Sequence, residues 1–219
     1  MPDLLKVEFH CHTLYSPDSL TTIRELLARC EVLGIDRIVI TDHNVIGGAV
    51  EAQALDPQRV IVGEEIKTTQ GELLAAYVTE EVPRGLPPEE AIARLREQRA
   101  FISVSHPYDA RGGRWSDEGR IALADQVDAV EVFNARCLHQ DLNDRALVFA
   151  EAHGLLGTVG SDAHTLREVG RATMRLPYFE DAVSLKAALA GVQYDNQRAP
   201  FGARFMSNYA KLAKLVRRT

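Results

Sequence analysis

Five of the seven histidines in this chain stand where a short apolar run ends, and carboxylates accompany them. His10 and His12 close the run from Leu4 to Phe9 and are followed by Asp18. Asp42 and His43 follow Arg37 to Ile40, and Glu64 and Glu65 follow Val60 to Val62. His106 follows Phe101 to Val104, and Asp162 and His164 follow Gly157 to Val159. Neutral imidazole and carboxylate are the ligands that borderline and hard divalent cations select. Strand ends are where barrel enzymes place their reacting groups, so the layout points to a metal-dependent hydrolase. Side chains alternate faces along a strand, which turns His10 and His12 the same way and sends Cys11 into the opposite layer as a packing residue. His153 falls within a helical pattern and reads as structural, and His139 lies outside the pattern.

The elements that must position these groups alternate. Apolar, β-branched runs at Leu4 to Phe9, Arg37 to Ile40, Val60 to Val62, Leu73 to Val78, Phe101 to Val104, Ala129 to Phe133 and Gly157 to Val159 read as strands. Helical patterns lie between most of them: Ser19 to Leu33 closed by Gly34, Val45 to Leu55, Pro88 to Gln98, and Gln140 to His153 closed by Gly154. Such alternation means a parallel sheet with crossover helices. Thr68-Thr69-Gln70-Gly71 is the exception, a hairpin turn between two strands. A further strand at Arg171 to Leu176 brings the expected parallel set to about seven, which suits a compact, irregular α/β barrel.

With 219 residues and 46% hydrophobic content the chain is expected to bury one core as a single domain spanning 1–219. It has neither a run of about 18 apolar residues nor the basic and apolar start of a signal peptide, and its three cysteines are odd in number and widely spaced. A cytoplasmic protein without a membrane partner is the expectation. From Asn196 to Thr219 there is no acid, while Arg198, Arg204, Lys211, Lys214, Arg217 and Arg218 are cationic, so against a net charge of −6 the preceding residues carry −12. This basic segment reads as a C-terminal helix at about 205–218, either a plain surface helix or a handle for a polyanion.

The ordered set His10-Cys11-His12, Ser16-Pro17-Asp18, Thr41-Asp42-His43, Gly63-Glu64-Glu65-Ile66, Ser105-His106-Pro107 and Gly160-Ser161-Asp162-Ala163-His164 resembles the PHP (polymerase and histidinol phosphatase) family of phosphoesterases. The resemblance runs from about Lys6 to Arg171, and the closing Gly-Ser-Asp-Ala-His is its most specific piece. It implies a distorted (β/α)7 barrel with two to three divalent ions (Zn, Mn, Fe or Mg) at the C-terminal ends of the strands. By motif position, His10, His12, Glu65 and Asp162 would hold the first ion. Glu65 would bridge to a second that also takes His106, and Asp18, His43 and His164 would hold the third. Asp42 is then a residue that orients a ligand histidine. Glu65 is preferred to Glu64 because adjacent strand residues face opposite ways and the family's glutamate precedes an apolar residue such as Ile66. Many relatives carry a histidine on the strand after this glutamate. Here the matching residue is Glu72, either an acidic ligand or a residue flanking the turn.

The chemistry so implied is hydrolysis of a phosphate ester by metal-bound hydroxide, with cations neutralising the phosphate oxygens. Arg136 and Arg171 are the candidates to clamp the substrate phosphate. Arg111-Gly112-Gly113-Arg114-Trp115 has the glycine content of a lid or of a plain loop. Expected substrates are a small phosphomonoester, a nucleotide phosphate or an oligonucleotide end. The alternatives are a histidinol-phosphate phosphatase or an amidohydrolase acting on a C–N bond, for which Lys67 is the nearest lysine able to bridge metals after carboxylation. The acidic chain favours the small substrate.

Overall fold

The computed structural model describes residues 4–110, 115–200 and 202–217; the candidate lid at Arg111 to Arg114 and the last arginine of the tail, Arg218, lie outside them. The described residues form nine strands in one sheet and seven α-helices. The strands are β1 (Leu5–Cys11), β2 (Arg37–Ile40), β3 (Val60–Lys67), β4 (Glu72–Ala76), β5 (Phe101–Val104), β6 (Ala129–Asn134), β7 (Leu156–Gly160), β8 (Ala172–Leu176) and β9 (Gln193–Asn196). Their order is β7-β6-β5-β4-β3-β2-β1-β8-β9. β1, β2 and β3 are parallel, as are β5, β6 and β7, and β4 runs antiparallel between the two sets. The expected hairpin joins β3 to β4, with Lys67 opposite Glu72 and the Thr68 amide donating to the Gly71 carbonyl at 2.9 Å.

Beyond β7, Ala163 bridges to Cys11: the His12 amide donates to the Ala163 carbonyl at 2.8 Å and the Ala163 amide to the His10 carbonyl at 3.3 Å. These contacts curl β1 to β7 into a nearly closed barrel of six parallel strands and one antiparallel strand. The expectation that Arg171 to Leu176 extends the parallel set is corrected here. β8 pairs antiparallel with β1 on its far side, and β9 pairs antiparallel with β8. A parallel return needs a crossover of about a dozen residues or more, usually a helix. The segment after β7 is instead occupied by the Ser161 to His164 motif, and Gly170, at φ 82°, turns the chain back.

Helices α1 (Ile23–Leu33), α2 (Gly47–Leu55), α3 (Pro88–Glu97), α4 (Asp117–Leu123), α5 (Gln140–Ala152), α6 (Ala182–Ala188) and α7 (Ala203–Arg217) complete the chain. α1 begins at a capping box between Thr22 and Glu25 and stops at Gly34, whose φ of 61° ends the helix without the Cβ penalty of other residues. It starts later than its pattern predicts because Ser19 is used elsewhere: its Oγ lies 3.2 Å from the His12 carbonyl and 3.0 Å from the His164 carbonyl, tying two loops of the barrel mouth together. Cys11 is fully buried among apolar residues, with Sγ donating to the Val39 carbonyl at 3.5 Å. Phe9 meets Phe101 edge-on, with ring centres 5.6 Å apart. Gly160 is needed for close approach, since a Cβ there would sit 2.3 Å from His10 Cβ and 2.6 Å from Glu131 Oε1.

The basic tail does not lie on a remote surface. α7 packs across the mouth of the barrel, with Lys214 Nζ donating to the Leu14 carbonyl at 2.6 Å and to the Ser16 carbonyl.

Candidate metal centre

The strand ends converge. His10 Nε2 and His12 Nε2 are 3.1 Å apart, and around them stand Glu65 Oε2, at 3.3 Å and 3.4 Å, and Asp162 Oδ1, at 3.7 Å and 3.3 Å. His10 Nδ1 is 2.9 Å from Glu131 Oε1, whose only role here is to accept, so the ring proton sits on Nδ1. His12 Nδ1 is 3.1 Å from Ser16 Oγ, and that hydroxyl donates its hydrogen to Asp42 Oδ1 at 2.6 Å. The His12 proton therefore also sits on Nδ1. Two imidazole lone pairs and two carboxylate oxygens then face one another in a buried space, an arrangement of acceptors that repel unless a cation lies among them.

The rest of the cluster extends from Glu65. His43 Nδ1 lies 3.0 Å from Glu65 Oε2, and His106 Nε2 lies 3.2 Å from Glu65 Oε1 and 3.5 Å from Glu72 Oε2. Asp18 Oδ1 is 3.6 Å from His43 Nε2 and 3.3 Å from His164 Nε2. Among the described residues, buried Glu65 Oε2 and Asp18 Oδ1 have no hydrogen-bond partner, although ring nitrogens converge on both. Among the described residues, three groups have ligand atoms mutually within 4.8 Å: His10, His12 and Asp162; His12, His43 and His164; and His43, Glu65 and Glu72. The donor set fits divalent cations, being nitrogen and carboxylate oxygen with unsatisfied acceptors at its centre.

Electrostatics agree. Burial, with His164 and His43 adjacent, pushes the His12 imidazole down to about 3, which keeps it a neutral donor. Burial opposes protonation of His10, but Glu65, Glu131 and Asp162 outweigh it and favour positive charge at that point. Burial and the neighbouring Glu65 carboxylate raise Glu72 to about 7, the cost of crowding two acids that a cation relieves. Asp162 adopts a left-handed conformation, φ 51°, a strained backbone of the kind that concentrates at functional sites.

The structure thus brings His10, His12, Asp18, His43, Glu65, Glu72, His106, Asp162 and His164 together. Asp42 stands behind them, bonded to Ser16 and to Thr13 Oγ1 at 2.6 Å. Glu64 points away and accepts from the Val82 amide at 3.0 Å. Arg136 lines the cavity, but it is buried and engaged: Nε is 3.1 Å from Glu168 Oε1, Nη1 is 2.6 Å from His164 Nδ1, and Nη2 donates to Ser207 Oγ at 2.9 Å. Arg171 is not brought to the site. It donates to the Arg167 carbonyl at 3.3 Å and to Gln197 Oε1 at 3.2 Å, because Gly170 has turned the chain outward. Lys67 stands exposed at the end of β3, on the wall of the same cavity as Glu65 and Glu72.

Sequence reasoning passed over three buried acids. Glu131 holds His10 and also accepts from the His106 amide at 2.8 Å and from Asn134 Nδ2 at 3.1 Å. Glu168 accepts from the His164 amide at 3.2 Å. Glu8 accepts from the Ser161 amide at 3.0 Å and the Gly170 amide at 2.9 Å, shaping the loop that carries Asp162. Glu8 and Glu131 were findable, since each stands between two apolar residues of its strand. α7 adds Arg204, Ser207 and Lys211 to the cavity wall, with Lys211 Nζ 3.3 Å from Asp18 Oδ2.

Comparison with known proteins follows the same residues. The model of the PHP domain matches residues 8–110, and that of the PHP-associated region matches 140–190. Two uncharacterized proteins of Methanocaldococcus jannaschii are similar. One is 38% identical over 150 residues, covering 63% of this chain and 85% of the relative; the other is 35% identical over 175 residues, covering 78% and 70%. Among solved structures, the fold resembles a two-domain protein of Bacteroides vulgatus containing a predicted PHP-like metal-dependent phosphoesterase, with TM-score 0.71, 19% identity, and coverage of 90% of this chain and 67% of that one. It also resembles the lesion-specific endonuclease PfuEndoQ of Pyrococcus furiosus (TM-score 0.66, 16% identity, 87% and 57% covered) and an amidohydrolase of Chromobacterium violaceum with bound sulfate (TM-score 0.60, 14% identity, 92% and 96% covered).

Proposed function

The chain belongs to the PHP domain family, and from that premise we propose that it hydrolyses the phosphate ester of a small phosphorylated compound. The observation that carries this reading is the ring of buried acceptors at His10, His12, Glu65 and Asp162, continuous with a cavity of about 440 Å³ that Asp18, His43, His106 and His164 also line. His10, His12, Glu65 and Asp162 would hold one divalent ion, Glu65 with His106 and Glu72 a second, and Asp18, His43 and His164 a third. Bound there, such ions supply Lewis acidity toward phosphate oxygens and bring the pKa of a coordinated water toward neutrality.

The chain's own residues do the rest. Glu131 fixes the His10 ring, and the Asp42–Ser16 pair fixes that of His12, so that both present Nε2 to the centre. Arg136, held by Glu168, keeps positive charge beside His164 and Asp162 at the cavity wall. α7 covers one side of the mouth, which favours a compact substrate over a nucleic-acid strand. Among the described residues no helix is long and apolar enough to cross a membrane, and the buried thiols of Cys11, Cys30 and Cys137 suit the cytoplasm we propose as its location.

A panel of phosphate esters assayed with added Mn²⁺, Zn²⁺ or Mg²⁺ tests this reading. The expected result is turnover of a small phosphomonoester that chelation abolishes and metal restores. Turnover that survives chelation, or turnover of C–N substrates alone, would overturn it.

A further inference from the structure

Five cationic side chains line the cavity, and they are not equivalent. Arg136 is paired with Glu168, Lys211 with Asp18, and Arg204 lies 3.8 Å from Asp109. Lys67 and Arg84 differ: among the described residues neither makes an ion pair or a side-chain hydrogen bond, yet both border the same space as His43, Glu65 and Asp162.

Their positions are built. Lys67 is two residues beyond Glu65 on β3, so the two side chains share a face, and at about 3.3 Å per residue Lys67 stands about 7 Å farther toward the mouth. Glu72, which faces the same cluster, is the cross-strand partner of Lys67. The Lys67 amide donates to Asn44 Oδ1 at 2.8 Å. Arg84 sits on the loop after β4, and this loop is fastened to the hairpin by the Gly85 amide donating to the Lys67 carbonyl at 2.6 Å and the Thr69 amide to the Leu86 carbonyl at 2.9 Å. Two exposed cations that make no ion pair among the described residues thereby border the rim of a cavity whose floor is acidic.

The geometry points to a second anion subsite at Lys67 and Arg84, so that the substrate carries, besides the phosphate ester at the floor, another phosphate or carboxylate directed toward the mouth. This inference rests on the phosphoester reading and narrows it to compounds with a second, separated anionic group.

The test is calorimetric titration of the full chain, loaded with Mn²⁺, with butylphosphonate and with butane-1,4-bisphosphonate. The bisphosphonate is expected to bind about 10-fold to 100-fold tighter, the span of a charge-assisted contact. In the Lys67→Gln, Arg84→Gln double variant that ratio is expected to fall below about 3-fold, while Lys67→Arg, which keeps the charge, retains it. Both positions are exposed, so melting temperature should not move, and the ratio reads the subsite and not the fold. A ratio near unity in the unmodified protein, or a large ratio surviving in the double variant, would overturn the second subsite while leaving the phosphoester reading intact. Failure of both phosphonates to bind would remove that reading and the subsite with it.

Discussion

Replacing Asp162 by Asn lowers turnover by about 100-fold or more while the protein stays folded. The amide keeps the volume of the carboxylate but not its charge. Asp162 Oδ1 is one of the acceptors facing both His10 and His12, and it also lies 3.3 Å from His164 Nδ1. Burial alone would raise this carboxyl, and His10, His12 and Arg136 together hold it well below the usual range, so a negative charge is what the surroundings are built around. Steady-state rates at saturating metal, with circular dichroism as the check on folding, decide the matter. Near-normal turnover would remove Asp162 from the centre. Cys11→Ala is the control: its thiol packs in the apolar layer behind His10 and His12, so the substitution should lower melting temperature and leave the rate within about twofold.

Glu131→Gln should weaken metal binding by about 10-fold to 100-fold, the usual cost of losing a carboxylate that orients a ligand histidine. One Glu131 oxygen takes the His10 Nδ1 proton, and the other takes the His106 amide, so a single side chain sets two of the ligands. Glutamine keeps the length but presents an NH₂ to one of these donors, which leaves either His10 in the wrong tautomer or the His106 amide unsatisfied. Competition titration with a chromophoric chelator reads the affinity directly. An unchanged affinity would make Glu131 a packing residue only.

Much of this site was legible in the sequence because its residues are the polar ends of apolar runs, and strand alternation alone orders His10, Cys11 and His12 into two layers. The same rule read on Ala129 to Asn134 exposes Glu131 as a buried acid, and read on β3 separates Glu65 from Glu64. What local pattern could not carry was long-range return. α7 reaches Leu14 and Ser16 from Lys214, about two hundred residues later, and nothing in its amphipathic spacing names the barrel mouth as its seat. The direction of β8 depended on how the Ser161 to Gly170 loop used its residues, and Arg171 left the site with that turn. Arg136 is a candidate phosphate clamp by sequence, but its ion pair with Glu168, which makes it part of the wall, required the fold.

Phosphate-ester hydrolysis at this site requires the cluster of acceptors to be a multinuclear metal centre. Elemental analysis of protein purified after supplementation with Mn²⁺ or Zn²⁺ measures this without reference to any substrate. About two or more divalent ions per chain, falling below one in the His10→Ala, His12→Ala double variant, is the result predicted from three overlapping ligand groups. Less than one ion per chain in the unmodified, supplemented protein would contradict it.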